Sequence, residues 1–146
     1  MLQRRPTNLI DTWDGSSYRR VVRVRNHLAL IEVRNAGTID TPEIRLAIPG
    51  HASSVRDRAE AARVACEILG LARDPALAQR RAEAEPALRE TARALRGLRP
   101  PRYPDLFETF VNVIPFQQLS LQAGMSAVAH IVRSFGEAIV INGQTY

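Results

Sequence analysis

The hydrophobic period of this chain changes once, near residue 53, and that switch limits the folds open to it more than any other feature. Before it, apolar residues recur every second position, as on a half-buried strand; after it they recur at threes and fours, as on a helix face. Residues 19–25 (RRVVRVR) read as a strand with Val22 and Val24 on one face and Arg19, Val21, Arg23 and Arg25 on the other. Asn26-His27 reads as a short turn, and residues 28–33 (LALIEV) as a more buried partner strand. Residues 43–48 alternate clearly, with Ile44, Leu46 and Ile48 on one face. Asn35-Ala36-Gly37 and Thr41-Pro42 punctuate the interval as loops, and residues 8–13 add an edge strand. A small antiparallel sheet is the expectation.

The second part reads as helices. Ser54 with Asp57 resembles a capping box, with Asp in the place usually held by Glu or Gln. Val55, Ala59, Ala62, Ala65, Cys66 and Leu69 then fall on one stripe, and Gly70 is a natural stop. Asp74-Pro75 offers a cap followed by a proline whose missing N–H costs nothing at a first helical position. Pro86 restarts the pattern, and Leu88, Ala92, Leu95 and Leu98 continue it to about Gly97. Pro100-Pro101 and Pro104 make a stiff connector, so the domain boundary is placed there: residues 1–98, then residues 99–146. Asp105 caps a helix carrying Leu106, Phe107, Phe110, Val111 and Ile114, which Pro115 ends. Ser120 caps a last helix with Leu121, Met125, Val128, Val132 and Phe135 at spacings of four and three, closed by Gly136. Residues 139–146 carry no stop signal in this reading. Strands followed by helices give an α+β class with a helical second part.

Composition narrows the function classes. The chain has 146 residues, enough for one core or a small domain with a helical extension, and its apolar (45%) and charged (24%) fractions suit a globular protein. No apolar run is long enough for a membrane span, and the basic N-terminus is not followed by the apolar stretch of a signal peptide, so no membrane partner is expected. A lone Cys66 cannot form an internal disulfide, which fits a reducing compartment; the expected location is cytoplasmic, intracellular and nucleoid-associated. The net charge is +5 and every basic residue is arginine. Arginine forks bind phosphate bidentately, but the arginine-favouring codon usage of a GC-rich genome explains the missing lysine better, so the charge permits DNA binding without demanding it.

Recognised catalytic signatures are absent. His27, His51 and His130 are far apart and share no ligand spacing with Cys66 or a carboxylate pair, so no metal site is expected. Cys66, on the apolar stripe of its helix, reads as a buried inert thiol. There is no Gly-x-Ser-x-Gly elbow, Gly-rich phosphate loop or His-Glu-x-x-His. Trp13 and Tyr18 suit the sheet's core or edge. Phe116-Gln117-Gln118-Leu119-Ser120 is the segment that stands out, with two consecutive amides between apolar helices at a bend made by Pro115. Alone, it reads as an ordinary polar helix–helix connection with Ser120 as its cap.

Its surroundings point further. In residues 97–136, Gly97-Leu98-Arg99, Pro101, Phe107-Glu108, Ile114, Gln117-Gln118, Ser120 and Phe135-Gly136 fall in order. This pattern resembles the entry into the helix-hairpin-helix domain of alkylpurine (3-methyladenine) DNA glycosylases. Upstream, Leu69-Gly70-Leu71 and Asp74-Pro75 resemble the link that joins this domain to the family's sheet domain. The strands before them suit that N-terminal domain, which is similar to one half of a TATA-box-binding protein.

The resemblance implies a role in base excision repair, on double-stranded DNA containing damaged bases. It implies hydrolysis of the N-glycosidic bond of alkylated purines by base flipping, with no metal or organic cofactor. It assigns DNA contact to Gln117, Gln118, Leu119 and Ser120, with Gln118 at the position that wedges into the duplex. A flat amide suits a base-step gap and can hydrogen-bond an orphaned base, and the helix start after Ser120 suits a phosphate.

The family's hairpin and catalytic aspartate lie downstream of the motif ending at Gly136, so no catalytic residue is assigned. The expectation is the N-terminal part of such an enzyme, inactive alone, with a missing C-terminal half as its partner. Two other readings stay open: a non-catalytic DNA-binding module, and a structural or interaction domain unrelated to DNA.

Overall fold

The structure, a computed structural model, describes residues 8–50 and 54–146; His51 lies outside them. Four strands form an antiparallel meander, β1 (Thr12–Trp13), β2 (Ser17–Val24), β3 (His27–Asn35) and β4 (Ile44–Ala47), paired in chain order. Helices α1 (Val55–Ile68), α2 (Ala76–Ala84), α3 (Arg89–Ala94), α4 (Leu106–Val113), α5 (Pro115–Gln118) and α6 (Leu121–Phe135) follow. A short hairpin, β5 (Val140–Ile141) with β6 (Gln144–Thr145), comes last. The class is α+β, strands first and helices after.

Register explains the core. Tyr18 opposes Val33, Arg20 opposes Ile31, Val22 opposes Ala29 and Val24 opposes His27, so these residues share one sheet face. Helix α1 covers that face with Ala61, Val64, Ala65 and Ile68, and Trp13, Ile44, Leu46 and Ile48 close its margin. Ile31 and Val24 at its centre are fully buried. On the other face Arg19 is paired with Glu32 directly across the ladder at 2.6 Å. Such cross-strand charge pairs help to fix the pairing.

The β2–β3 turn is Arg25-Asn26, with Arg25 at φ 54, and His27 joins the ladder instead of the turn. Turns one residue apart shift the pairing by two residues, and both registers keep Val22 and Val24 on the same face. Period-two patterning therefore does not separate them. The edge strand expected over residues 8–13 is reduced to Thr12–Trp13. Before it the Asn8 side chain bonds the amides of Ile10 and Asp11 and holds a turn.

The capping box at α1 forms as expected: the Ser54 hydroxyl accepts from the Asp57 amide at 3.1 Å, and the Asp57 carboxylate accepts from the Ser54 amide at 3.0 Å. The buried stripe differs. Ala61, Val64, Ala65 and Ile68 face the sheet, while Val55 and Ala59 are exposed and Cys66 is only half-buried on the flank. In an alanine-rich helix two stripes are almost equally apolar, and the branched residues Val64 and Ile68 decide which bears the core.

Gly70 ends the helix at φ 69, and a Cβ there would meet the Pro100 carbonyl oxygen at 2.5 Å, so only glycine fits. The Arg102 amide bonds the Ile68 carbonyl at 2.9 Å and stitches the proline connector to the end of α1.

The tail carries a stop signal after all. Asn142 at φ 50 and Gly143 at φ 78 form a two-residue turn that folds it into the β5–β6 hairpin, closed by reciprocal bonds between Ile139 and Tyr146. Asn-Gly is the strongest short-range hairpin signal, because both turn residues must take positive or near-positive φ.

Candidate nucleic-acid interface

Residues 115–120 join two helices at an exposed bend. Pro115 ends α4 but also begins α5 at a position where its missing N–H costs nothing. Gln117 and Gln118 therefore sit on a helical turn, not in the irregular connection that the sequence pattern suggests. Both are exposed. Leu119 is extended, at φ −105 and ψ 155, and points the chain into α6. There the Ser120 hydroxyl accepts from the Ala123 amide at 3.3 Å, which confirms the expected cap.

One contact underneath holds the bend. A Cβ on Gly124 would lie 2.7 Å from the Phe116 ring, so the ring rests directly on the bare backbone of the first turn of α6. Gly124 and Ala129 are the buried residues of α6. Small residues there let α5 lie close, and the aromatic ring anchors the turn from below while both glutamines stay outside. Phe116 begins the segment noted in the sequence, but its partner Gly124 was missed; a glycine inside an otherwise good helix was the available signal.

The flanks of the bend are apolar and uncovered. Leu106, Phe107, Phe110, Val113 and Ile114 are all exposed, Phe107 to 71%, and α4 buries none of its residues. On α6, Leu121 and Phe135 are exposed, Phe135 to 80%, while Met125, Val128 and Val132 are half-buried. A contiguous apolar surface of this kind marks an interaction site far more often than a free surface. A cleft of about 500 Å³ lies elsewhere, among α2, α3 and the proline connector, with Ala78, Leu88, Ala92 and Leu95 in its walls. That cleft includes no residue of 115–120.

A buried charge cluster that no local sequence pattern reveals joins β2 to α4. Arg20, on the core face of β2, donates to Asp11 at 3.1 Å and to Glu108 on α4. The Tyr18 hydroxyl donates to Asp11 at 2.6 Å. Burial, reinforced by the negative charge of Asp11, pushes the Tyr18 phenol well above its ordinary range. Burial alone would lower the Arg20 value, but the bond to Glu108 and the fields of Asp11 and Glu108 outweigh it, so the guanidinium stays charged.

The remaining sequence candidates are dispersed. Trp13 is half-buried against the core and Tyr18 lies within it. His27 begins β3 and His130 is exposed on α6. Among the described residues no three His, Cys, Asp or Glu side chains are grouped so as to hold a metal ion, and no helix is long and apolar enough to cross a membrane.

Comparison with known proteins places the architecture. No family model and no curated protein sequence matches the chain. Among solved structures, a 3-methyladenine DNA glycosylase from Archaeoglobus fulgidus is similar, with a TM-score of 0.77 over 97% of this chain at 22% identity. This chain has the fold of part of that glycosylase. It spans about half of the glycosylase's length, 46%.

Proposed function

We propose that this chain is the N-terminal portion of a DNA glycosylase of the 3-methyladenine type, acting in base excision repair. In this reading residues 1–98 form the scaffold domain, and residues 99–146 begin the helical domain that engages damaged double-stranded DNA. Gln118 enters the base stack from α5, Gln117 and Leu119 line the opening, and Ser120 with the first turn of α6 meets a phosphate. A glycosylase cannot reach the base–sugar bond inside the duplex, so the flipped nucleotide leaves a gap that must be held open. A side-chain amide on a braced helical turn fills it: the rigid support lowers the ordering cost, and the amide can bond either a donor or an acceptor on the facing base.

The observation that carries this reading is the exposed Gln117-Gln118 turn, braced by Phe116 on Gly124 and flanked by uncovered apolar faces of α4 and α6. The flanks are where further helices of a complete glycosylase domain would pack, in the same polypeptide or another. That added segment would supply the catalytic aspartate and the base pocket; no residue described here is assigned those tasks. The reaction would be hydrolysis of the N-glycosidic bond of an alkylated purine, without metal or organic cofactor.

The test is binding of a duplex that carries 2-aminopurine beside an abasic-site analogue, at low salt. The expected result is salt-sensitive binding with a rise in fluorescence as the probe unstacks. Gln118→Ala should lose most of that rise while affinity falls less. Equal fluorescence for the two proteins would remove Gln118 from the wedge role, and no binding at any salt concentration would favour an interaction domain unrelated to DNA.

A further inference from the structure

Helix α4 leads into the bend, yet apolar packing does not fix it to the sheet: it buries no residue, and its large side chains face outward. A charge pair reaches across instead. Arg20 is 5% exposed, with the Asp11 and Glu108 side chains at 16% each, so the pair is largely removed from water. Two further contacts between the sheet unit and the segment from α4 onward are of a different kind. Arg23 pairs with Glu137, and both are more than half exposed, so water and salt screen that pair. Ile141 rests against Gly50, beyond β4.

Glu108 is itself held: its amide bonds the Asp105 side chain at 2.7 Å, which fixes the first turn of α4 around it. Ile114 keeps helical geometry (φ −57, ψ −47) between α4 and α5, so a rotation of α4 passes to Gln118 without a flexible joint.

We propose that Arg20 is a positioning residue: clamped between Asp11 and Glu108, it sets the angle at which α4, and with it the Gln117-Gln118 turn, stands on the sheet. The role assigned to that turn rests on the function proposed above; the orientation itself does not depend on it. Apolar contacts tolerate sliding and rotation, whereas a guanidinium bonded through its two terminal nitrogens to two separate carboxylates keeps both bonds only over a narrow range of geometry. A buried ion pair adds little net stability over apolar residues of the same volume, and fixing one arrangement is its best-attested use. Arg20 is thus a rigid pin between the sheet and the Gln117-Gln118 turn.

The experiment separates orientation from DNA chemistry. In a Cys66→Ala background, cysteines replace the exposed residues Arg45 on β4 and Ser134 on α6, and paired spin labels report the distance distribution between sheet and helix. Glu108→Ala should broaden or shift that distribution, while the main melting transition of the sheet and α1 persists. Glu108→Gln keeps an acceptor oxygen for Arg20 and should restore most of the narrow distribution. With the 2-aminopurine duplex, Glu108→Ala should lose the fluorescence rise more than it loses affinity.

An unchanged, narrow distribution in Glu108→Ala overturns the proposal. If Glu108→Ala unfolds the chain, Asp11→Asn, Arg20→Met and Glu108→Leu combined, which remove all three charges of the cluster, must fold with a broadened distribution, and a narrow one there overturns it equally. A broadened distribution with no fluorescence rise even in the parent protein would leave the pin standing and count against the DNA role of the turn.

Discussion

Replacing Gly124 by alanine sets two effects against each other, and the structure decides the sign. In an exposed helix interior, glycine to alanine stabilises by about 1 kcal/mol, because glycine loses the most backbone freedom on folding. Here the new Cβ would sit 2.7 Å from two carbons of the Phe116 ring, closer than any real methyl contact. The ring follows Pro115 within a four-residue helix, so it cannot swing away without moving α5. Overpacking of this kind costs about 1–3 kcal/mol. The expected net effect is a loss of up to about 2 kcal/mol, or a melting temperature lower by several degrees, at roughly 3 °C per kcal/mol for a chain of this size. The decisive assay is a double-mutant cycle by thermal melting. In a Phe116→Ala background the obstruction is gone, and Gly124→Ala should then stabilise by about 1 kcal/mol. A change of sign between the two backgrounds is the prediction. Stabilisation of similar size in both would refute the claim that Phe116 rests on the α6 backbone.

Ile31→Ala, at the fully buried centre of the sheet, should cost about 2–5 kcal/mol and lower the urea midpoint with little change in slope; a cost below 1 kcal/mol would mean the core lies elsewhere. Acid should destabilise the fold through carboxylates held below their usual range, Asp14 and Glu32 among them. Asp14 is held well below its usual range by the amides of Ser16 and Ser17, and then by Ser16's hydroxyl and Arg19; Glu32 is held down by its bond to Arg19. Groups depressed in the folded state stabilise fully above their unfolded values, near pH 4, and that stability is lost as pH falls through the folded values. Melting temperature should therefore be flat from about pH 6 to 5 and fall below about pH 4. Glu32→Gln should make the fall shallower, and an unchanged slope would argue against the Arg19–Glu32 pair.

The order of elements was legible because it rests on periodicity and local chemistry: the change of period near residue 53, the Ser54 and Asp105 caps, and the Ser120 cap before α6. Errors came where two readings satisfy the same local rule. Two hairpin registers put Val22 and Val24 on the same face, and two stripes of α1 are nearly equally alanine-rich. At Asn142-Gly143 the hairpin signal is local and stands in the sequence itself. Arg20 differs in kind. Its place two residues before Val22 already put a charge on the core face, but its partners stand 9 residues before it and 88 after it, and no local pattern reveals a bond over such a span. The Gln117-Gln118 bend could be read as a segment of interest, but not its bracing, because Phe116 and Gly124 meet only once α5 lies along α6.

In the proposed function, further polypeptide covers the apolar faces of α4 and α6 and completes a glycosylase. Native mass spectrometry of the protein isolated from its source, using an antibody against residues 8–146, addresses this most directly. The proposed function predicts a particle of about twice the 16.3 kDa of this chain, as one polypeptide or as a complex, that releases alkylated purines from duplex DNA. A 16.3 kDa particle alone, with the α4 and α6 faces open to solvent and no base release, would contradict it.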